Sequence, residues 1–374
     1  MQLFNKILTV MMLTFLAVFF LLFMILPHRD FSERENRMLQ KKPALSRDNL
    51  ISGKFSHAAE DYLTDHFVFR DTWVGLKSAA ELILQKKDNN GVYFGRDGYL
   101  LQKPEKLNTA FLAANIAALN QFAATLPAPV YLLLAPTSAQ VLDDKLPRFA
   151  APQQNLDLFA LIKKQLGPDI RLIDTYPALA AHKQEYIYYK TDHHWTSLGA
   201  YYAYREAGRV MDFPALDLND FNLEPASDNF YGTLYSKSGH RFLQPDSIHL
   251  FHPKRELACQ VDYINEQRTG NSLYAREHLL QKDQYAVFLD GNHALTRITT
   301  LKKTGRKLLI IKDSYANTLV PFLANHYDEI YLIDLRYFNA QLKPYLEQYG
   351  FKEILLIYNT LSLAEDSSLR KIGS

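Results

Sequence analysis

A chain of 374 residues is long enough to bury a substantial core, as two domains or as one enlarged α/β domain. Its formal net charge of +2, with 22% charged residues and no long basic run, argues against a nucleic-acid partner. One cysteine, Cys259, excludes an internal disulfide and is compatible with either side of a membrane.

In chain order, the first element is Ile7 to Leu26, 20 residues without a charge, preceded by Lys6. That length matches the roughly 30 Å hydrocarbon core of a bilayer. No small-x-small cleavage site precedes Pro27, so the stretch reads as an uncleaved transmembrane anchor within residues 1–28 rather than as a removed signal peptide. Arg29, Arg34, Arg37, Lys41 and Lys42 come after it, and counting charges alone would leave the body in the cytoplasm. A short basic start before an apolar run instead favours export of the downstream chain. Residue chemistry thus leaves the side open.

Residues 29–53 are charged, are interrupted by Pro43 and read as a juxtamembrane linker. From Lys54 to Lys87, apolar residues at helical spacing, including Phe55, Tyr62, Phe69, Trp73 and Leu76, predict one or two amphipathic helices packed on the main domain. The stretch GVYFGRDGYLL predicts a hairpin around Gly95 to Gly98. Then comes a helix–strand rhythm: a helix over 106–126, the strand PVYLLLAP, a helix over 155–166 and the strand IRLID. Such alternation predicts a mostly parallel sheet covered by helices, in a domain spanning 54–374. Next, YIYYK leads into TDHHWT, with Thr196 as N-cap of a helix through Ala207. Residues 214–304 lose the rhythm and read as an inserted irregular and β region with strands at IHLFH and YAVFLD. The rhythm resumes with KLLIIKDS, a helix over 316–326, EIYLIDL, a helix over 340–349 and EILLIY.

Two clusters carry chemistry. Ser314 stands between a buried strand and its helix, where backbone N–H groups at the helix start can stabilise an oxyanion. A nucleophilic serine needs a base, and that base needs a group to hold its tautomer. Asp192 and His194, two apart on an extended segment, would present both side chains to one side. The competing readings are an N-cap for Ser314 and a satisfied buried histidine for His194. Asn292, following a strand and a glycine, is a candidate oxyanion donor or a turn former. Gly232 could add a backbone donor or simply make a turn, His193 and Trp195 would pack or line the cleft, and Trp195 and Tyr315 are candidate substrate-binding residues.

TDHHWT, ENRMLQKKP, DHFVFRD (Asp65 to Asp71), FLDGNHAL (Phe288 to Leu295) and IIKDSYA together resemble the DHHW protein family. That family is similar to the SGNH-hydrolase-like proteins that O-acetylate alginate outside the cytoplasmic membrane. The resemblance implies an SGNH-like three-layer α/β/α sandwich facing out of the cell, with Asp192 as orienter, His194 as base and Ser314 as nucleophile. It implies a polysaccharide substrate, a partner membrane acyltransferase and no cofactor. Two departures stand out: Lys312 occupies the place of glycine in the Gly-Asp-Ser of ordinary SGNH enzymes, and the Asp-x-His pair precedes the serine. A polysaccharide-binding or assembly factor without catalysis is the alternative. A metal-dependent DHH-type phosphoesterase fits less well, because no Asp-x-Asp precedes Asp192. Nor does a His-x-x-x-His or cysteine pair accompany the cluster to make a zinc site.

Overall fold

The computed structural model describes residues 2–104, 107–148, 150 and 153–373. Two compact units divide the chain: Met1–Lys86 with Gly239–Phe242, and Lys87–Ser238 with Leu243–Ser374. The division after Lys86 differs from the start of the α/β domain at residue 54 read from sequence.

In the first unit a 24-residue helix, Gln2–Ile25, buries none of its residues and is apolar enough to cross a membrane. Shorter helices follow at Arg47–Ile51, Lys54–Asp65 and Arg70–Ile83. Asp65 gathers the unit, accepting from the Arg37 guanidinium at 2.9 Å and from the Gln40 N–H at 2.8 Å.

The second unit is built on an eight-stranded sheet, whose strands we number in chain order: β1 (Val130–Ala135), β2 (Ile170–Asp174), β3 (Cys259–Tyr263), β4 (Arg268–Gly270), β5 (Leu295–Thr300), β6 (Lys307–Lys312), β7 (Glu329–Ile333) and β8 (Glu353–Asn359). Their spatial order is β4-β3-β5-β7-β6-β8-β1-β2. From β7 through β2 every pairing is parallel, while β4, β3 and β5 add an antiparallel edge. The parallel strands are near-continuous apolar runs because both faces are covered. Tyr131, Leu133 and Ala135 of β1 face helices Ser197–Met211 and Ala316–Leu323. Val130, Leu132 and Leu134 face helices Thr109–Ala124, Leu342–Tyr349 and Thr360–Glu365.

Several expectations shift. Residues 214–304 are not wholly an insertion, since β3, β4 and β5 join the main sheet and only Phe221–Phe230 and Asp246–Pro253 pair apart from it. YAVFLD forms no strand: Gln284–Val287 is a 3₁₀ turn, and Leu289 and Asp290 take positive φ, which no strand allows. The helix predicted from Lys106 begins at Thr109, and Lys106 itself lies outside the described residues.

Helix Ser197–Met211 starts as read, with the Thr196 hydroxyl accepting from the Gly199 N–H. Gly199 allows this helix to approach the chain leading into TDHHWT: a Cβ there would lie 2.3 Å from the Ile187 carbonyl oxygen. Alanine would bring up to about 1 kcal/mol of helix propensity, but overpacking against backbone costs about 1–3 kcal/mol. Gly199→Ala is therefore expected to lower stability in urea unfolding. A variant as stable as the parent or more so would contradict the close approach.

Candidate active site

At the carboxyl end of β6 the chain turns sharply through Asp313 and Ser314. The buried Asp313 carboxylate accepts from the Tyr315 N–H at 2.9 Å and from the Asn359 N–H at 2.7 Å, tying the turn to the end of β8. Burial raises the Asp313 pKa, against the pull of those two N–H groups. Ser314 is part-exposed, and its backbone N–H has no acceptor among the described residues.

Opposite it lies the Asp192 to His194 loop. The segment is not extended as read from sequence. Tyr188 and Trp195 form an isolated antiparallel bridge, and the residues between them turn. What aligns the two side chains is Asp192 Oδ1, which accepts from both the His194 backbone N–H (3.0 Å) and His194 Nδ1 (2.6 Å). A carboxylate only accepts, so Nδ1 carries the proton and Nε2 presents its lone pair. Nε2 stands 2.7 Å from Ser314 Oγ and accepts from it.

Asp192 Oδ2 accepts from the Thr233 N–H (2.7 Å) and hydroxyl (2.9 Å). Burial opposes ionisation of this carboxyl, but the neighbouring His193 and His194 and the N–H donors outweigh it and hold its pKa far below the usual range. Where the chain enters the loop, the buried Asp246 accepts from the Lys190 N–H (2.8 Å), the Thr191 N–H (2.7 Å) and hydroxyl (2.5 Å), and the Tyr186 hydroxyl. That carboxylate fixes the chain entering the loop.

Gly232 has a different part from the one read in sequence. Its N–H donates to Thr191 Oγ1 at 3.0 Å and is therefore not an oxyanion donor. A Cβ at Gly232 would lie 2.4 Å from Asp192 Oδ2, so the missing side chain makes room for the carboxylate. Trp195 and Tyr315 are buried rather than lining a cleft. Trp195 Nε1 donates to Thr318 Oγ1 (2.8 Å) and the Tyr315 carbonyl (3.1 Å), while the Tyr315 hydroxyl donates to the His193 carbonyl. Together they clamp the two loops. Tyr285, which the sequence reading did not single out, stacks on the His194 ring at 3.8 Å with planes 9° apart, and its hydroxyl donates to the Ser314 carbonyl at 3.1 Å. Only its neighbourhood to the glycine-containing turn hinted at a role.

Asn292 follows a turn with positive φ at Leu289, Asp290 and Gly291. Its Oδ1 accepts from Lys312 Nζ at 2.8 Å, which fixes the amide flip and leaves Nδ2 as the side chain's donor. Lys312 is buried, and also donates to Asn317 Oδ1 at 2.7 Å, with the Asp334 carboxylate 3.9 Å away.

Asp192, His193 and His194 are close enough to ligate a metal, but both Asp192 oxygens and both His194 nitrogens already hold protein partners. A second cluster, Glu277, His278 and Asp290, has its Asp290 paired with Arg268 and His278.

The DHHW protein family model matches residues 108–333. No curated protein matches the chain. Among solved structures, a DHHW family protein from Eubacterium siraeum is similar at 26% identity and TM-score 0.66, covering 76% of this chain and 95% of that one. Bacillus cereus PatB1, solved with a sulfonyl adduct, is similar at 20% identity and TM-score 0.63, covering 74% and 97%. The O-acetyltransferase domain of Pseudomonas putida AlgJ aligns at 14% identity and TM-score 0.45, covering 74% and 93%.

Burial pushes the Lys312 ammonium down from 10.5 to about 8, opposed by Asp334. Between pH 8 and 10.5 the unfolded chain therefore holds a proton that the folded chain has lost, so this group makes stability rise with pH. The predicted contribution is about 3 kcal/mol across that window. Denaturant unfolding of parent and Lys312→Met at pH 7 to 10.5 reads it as a difference in slope. Parallel curves would contradict the buried ammonium.

Proposed function

This chain belongs to the DHHW protein family, and from that premise we propose that it is a membrane-anchored, extracytoplasmic, SGNH-like serine enzyme. It acts as an O-acetyltransferase or acetylesterase on a cell-surface or exported polysaccharide. The observation that carries this reading is the line of hydrogen bonds from Asp192 through His194 to Ser314, at 2.6 and 2.7 Å. Helices on both sheet faces support the sandwich, the apolar Gln2–Ile25 helix supports the anchor, and the family resemblance supports the outward-facing side.

In this mechanism Ser314 Oγ attacks the acetyl carbonyl carbon as its proton passes to His194 Nε2. The carbonyl oxygen becomes an oxyanion, stabilised by the Ser314 N–H and Asn292 Nδ2. Collapse breaks the bond to the donor oxygen, which takes the proton from the imidazolium, and leaves acetyl-Ser314. A sugar hydroxyl, or water, then gives its proton to Nε2 and attacks the acyl carbon, and Ser314 is released with the returned proton. Asp192 stays ionised and holds the imidazolium. Lys312, in place of the usual glycine, is compatible with this chemistry because it braces the Asn292 amide. Acetyl groups would reach the site through a partner membrane acyltransferase.

His194→Ala should lower turnover of an activated acetyl ester by about 10²- to 10⁴-fold, and Asn292→Ala should lower kcat by about 10²- to 10³-fold, each read on protein that circular dichroism shows to be folded. Ester turnover surviving in folded His194→Ala would sink the assignment. Acetyl transfer to a glycan hydroxyl in competition with water separates transferase from esterase.

A further inference from the structure

Helix Arg70–Ile83 carries an apolar stripe that the proposed chemistry does not use. Phe69, Trp73, Leu76 and Ile83 stand at helical spacing, and all are exposed, Trp73 by 44% and Ile83 by 82%. Phe69 even adopts a left-handed backbone, φ +57°, an outlier for a bulky residue, with its ring in the open.

The neighbours of the stripe in the same unit indicate what covers it. Phe67 stacks on Phe19 of the apolar Gln2–Ile25 helix, with ring centroids 5.7 Å apart and planes at 17°. Tyr62 meets Phe23 edge-on at 6.2 Å, and its hydroxyl is hydrogen-bonded to His28. Just beyond the apolar helix, Arg29 and Arg34 reach Asp71 in the first turn of helix Arg70–Ile83, at 3.3 and 3.8 Å. Phe19 lies about 10 Å along the helix from the end of the apolar run at Leu26. If Gln2–Ile25 crosses a bilayer, Phe67 is held at hydrocarbon depth, and the start of the next helix is held at the boundary. An amphipathic helix there seats its apolar face about 5–10 Å into the boundary, with aromatic residues at the interface.

We propose that Phe67, Phe69, Trp73, Leu76 and Ile83 form a membrane-seating surface, with helix Arg70–Ile83 lying in the interface of the bilayer that Gln2–Ile25 spans. Lipid is the partner. The inference rests on the anchor of the proposed function, but not on its chemistry or on which side the body faces.

The chain has two tryptophans, and Trp195 is fully buried, so quenching from the lipid phase reads Trp73. Full-length protein reconstituted in phosphatidylcholine vesicles with brominated acyl chains should lose the Trp73 emission. Trp73→Phe should abolish the quenching while ester turnover and vesicle flotation stay as in the parent. Flotation without quenching, or quenching that persists in Trp73→Phe, overturns the proposal. A dimer cross-linked through Leu76→Cys in a Cys259→Ser background, with Trp73 unquenched, would assign the stripe to a second copy and also overturn it. Failure to float would remove the anchor and this surface together, while leaving the serine chemistry standing.

Discussion

A carboxylate that is 1% exposed remains ionised only if its surroundings replace water, and Asp192 is in that position. Two N–H groups of His194 satisfy one oxygen, and the N–H and hydroxyl of Thr233 satisfy the other. Gly232 contributes by having no side chain, since any Cβ would occupy the carboxylate's space. The imidazole tautomer follows from this arrangement, and so does the lone pair aimed at Ser314. Replacement of the carboxylate by a neutral group would remove the reason for the tautomer as well as the charge.

The fold brings the two halves of this arrangement together from distant parts of the sequence. Ser314 is delivered by a parallel strand whose end is pinned by Asp313 to β8, while Asp192 and His194 sit on a turn whose own ladder is a single Tyr188–Trp195 bridge. Asp246 below and Trp195, Tyr285 and Tyr315 around it supplement that ladder. Lys312 extends the same logic to the Asn292 turn. Its ammonium gathers two amide oxygens in a place where glycine would leave nothing.

Legibility in the sequence followed burial and locality. β1, β6, β7 and β8 were readable because strands buried on both faces become unbroken apolar runs, and Thr196 because an N-cap acts within its own turn. Asp192, His194 and Ser314 were legible as residue types in suggestive places, and the structure brings them into one line. Thr233, Asp246 and Tyr285 were not, since each reaches the site through contacts dozens of residues away. YAVFLD looked like a strand by composition, but positive φ at Leu289 and Asp290 ends any such pattern. For Gly232 the sequence suggested a turn, and only the packed carboxylate explains why nothing larger fits.

The central claim is that Ser314 is a nucleophile, and covalent trapping tests it most directly. Intact-mass spectrometry would follow the folded protein after exposure to an activated acetyl ester. The account predicts one added group, mapped to Ser314 and absent in Ser314→Ala. No adduct on a folded protein, or one that persists in Ser314→Ala, would contradict it.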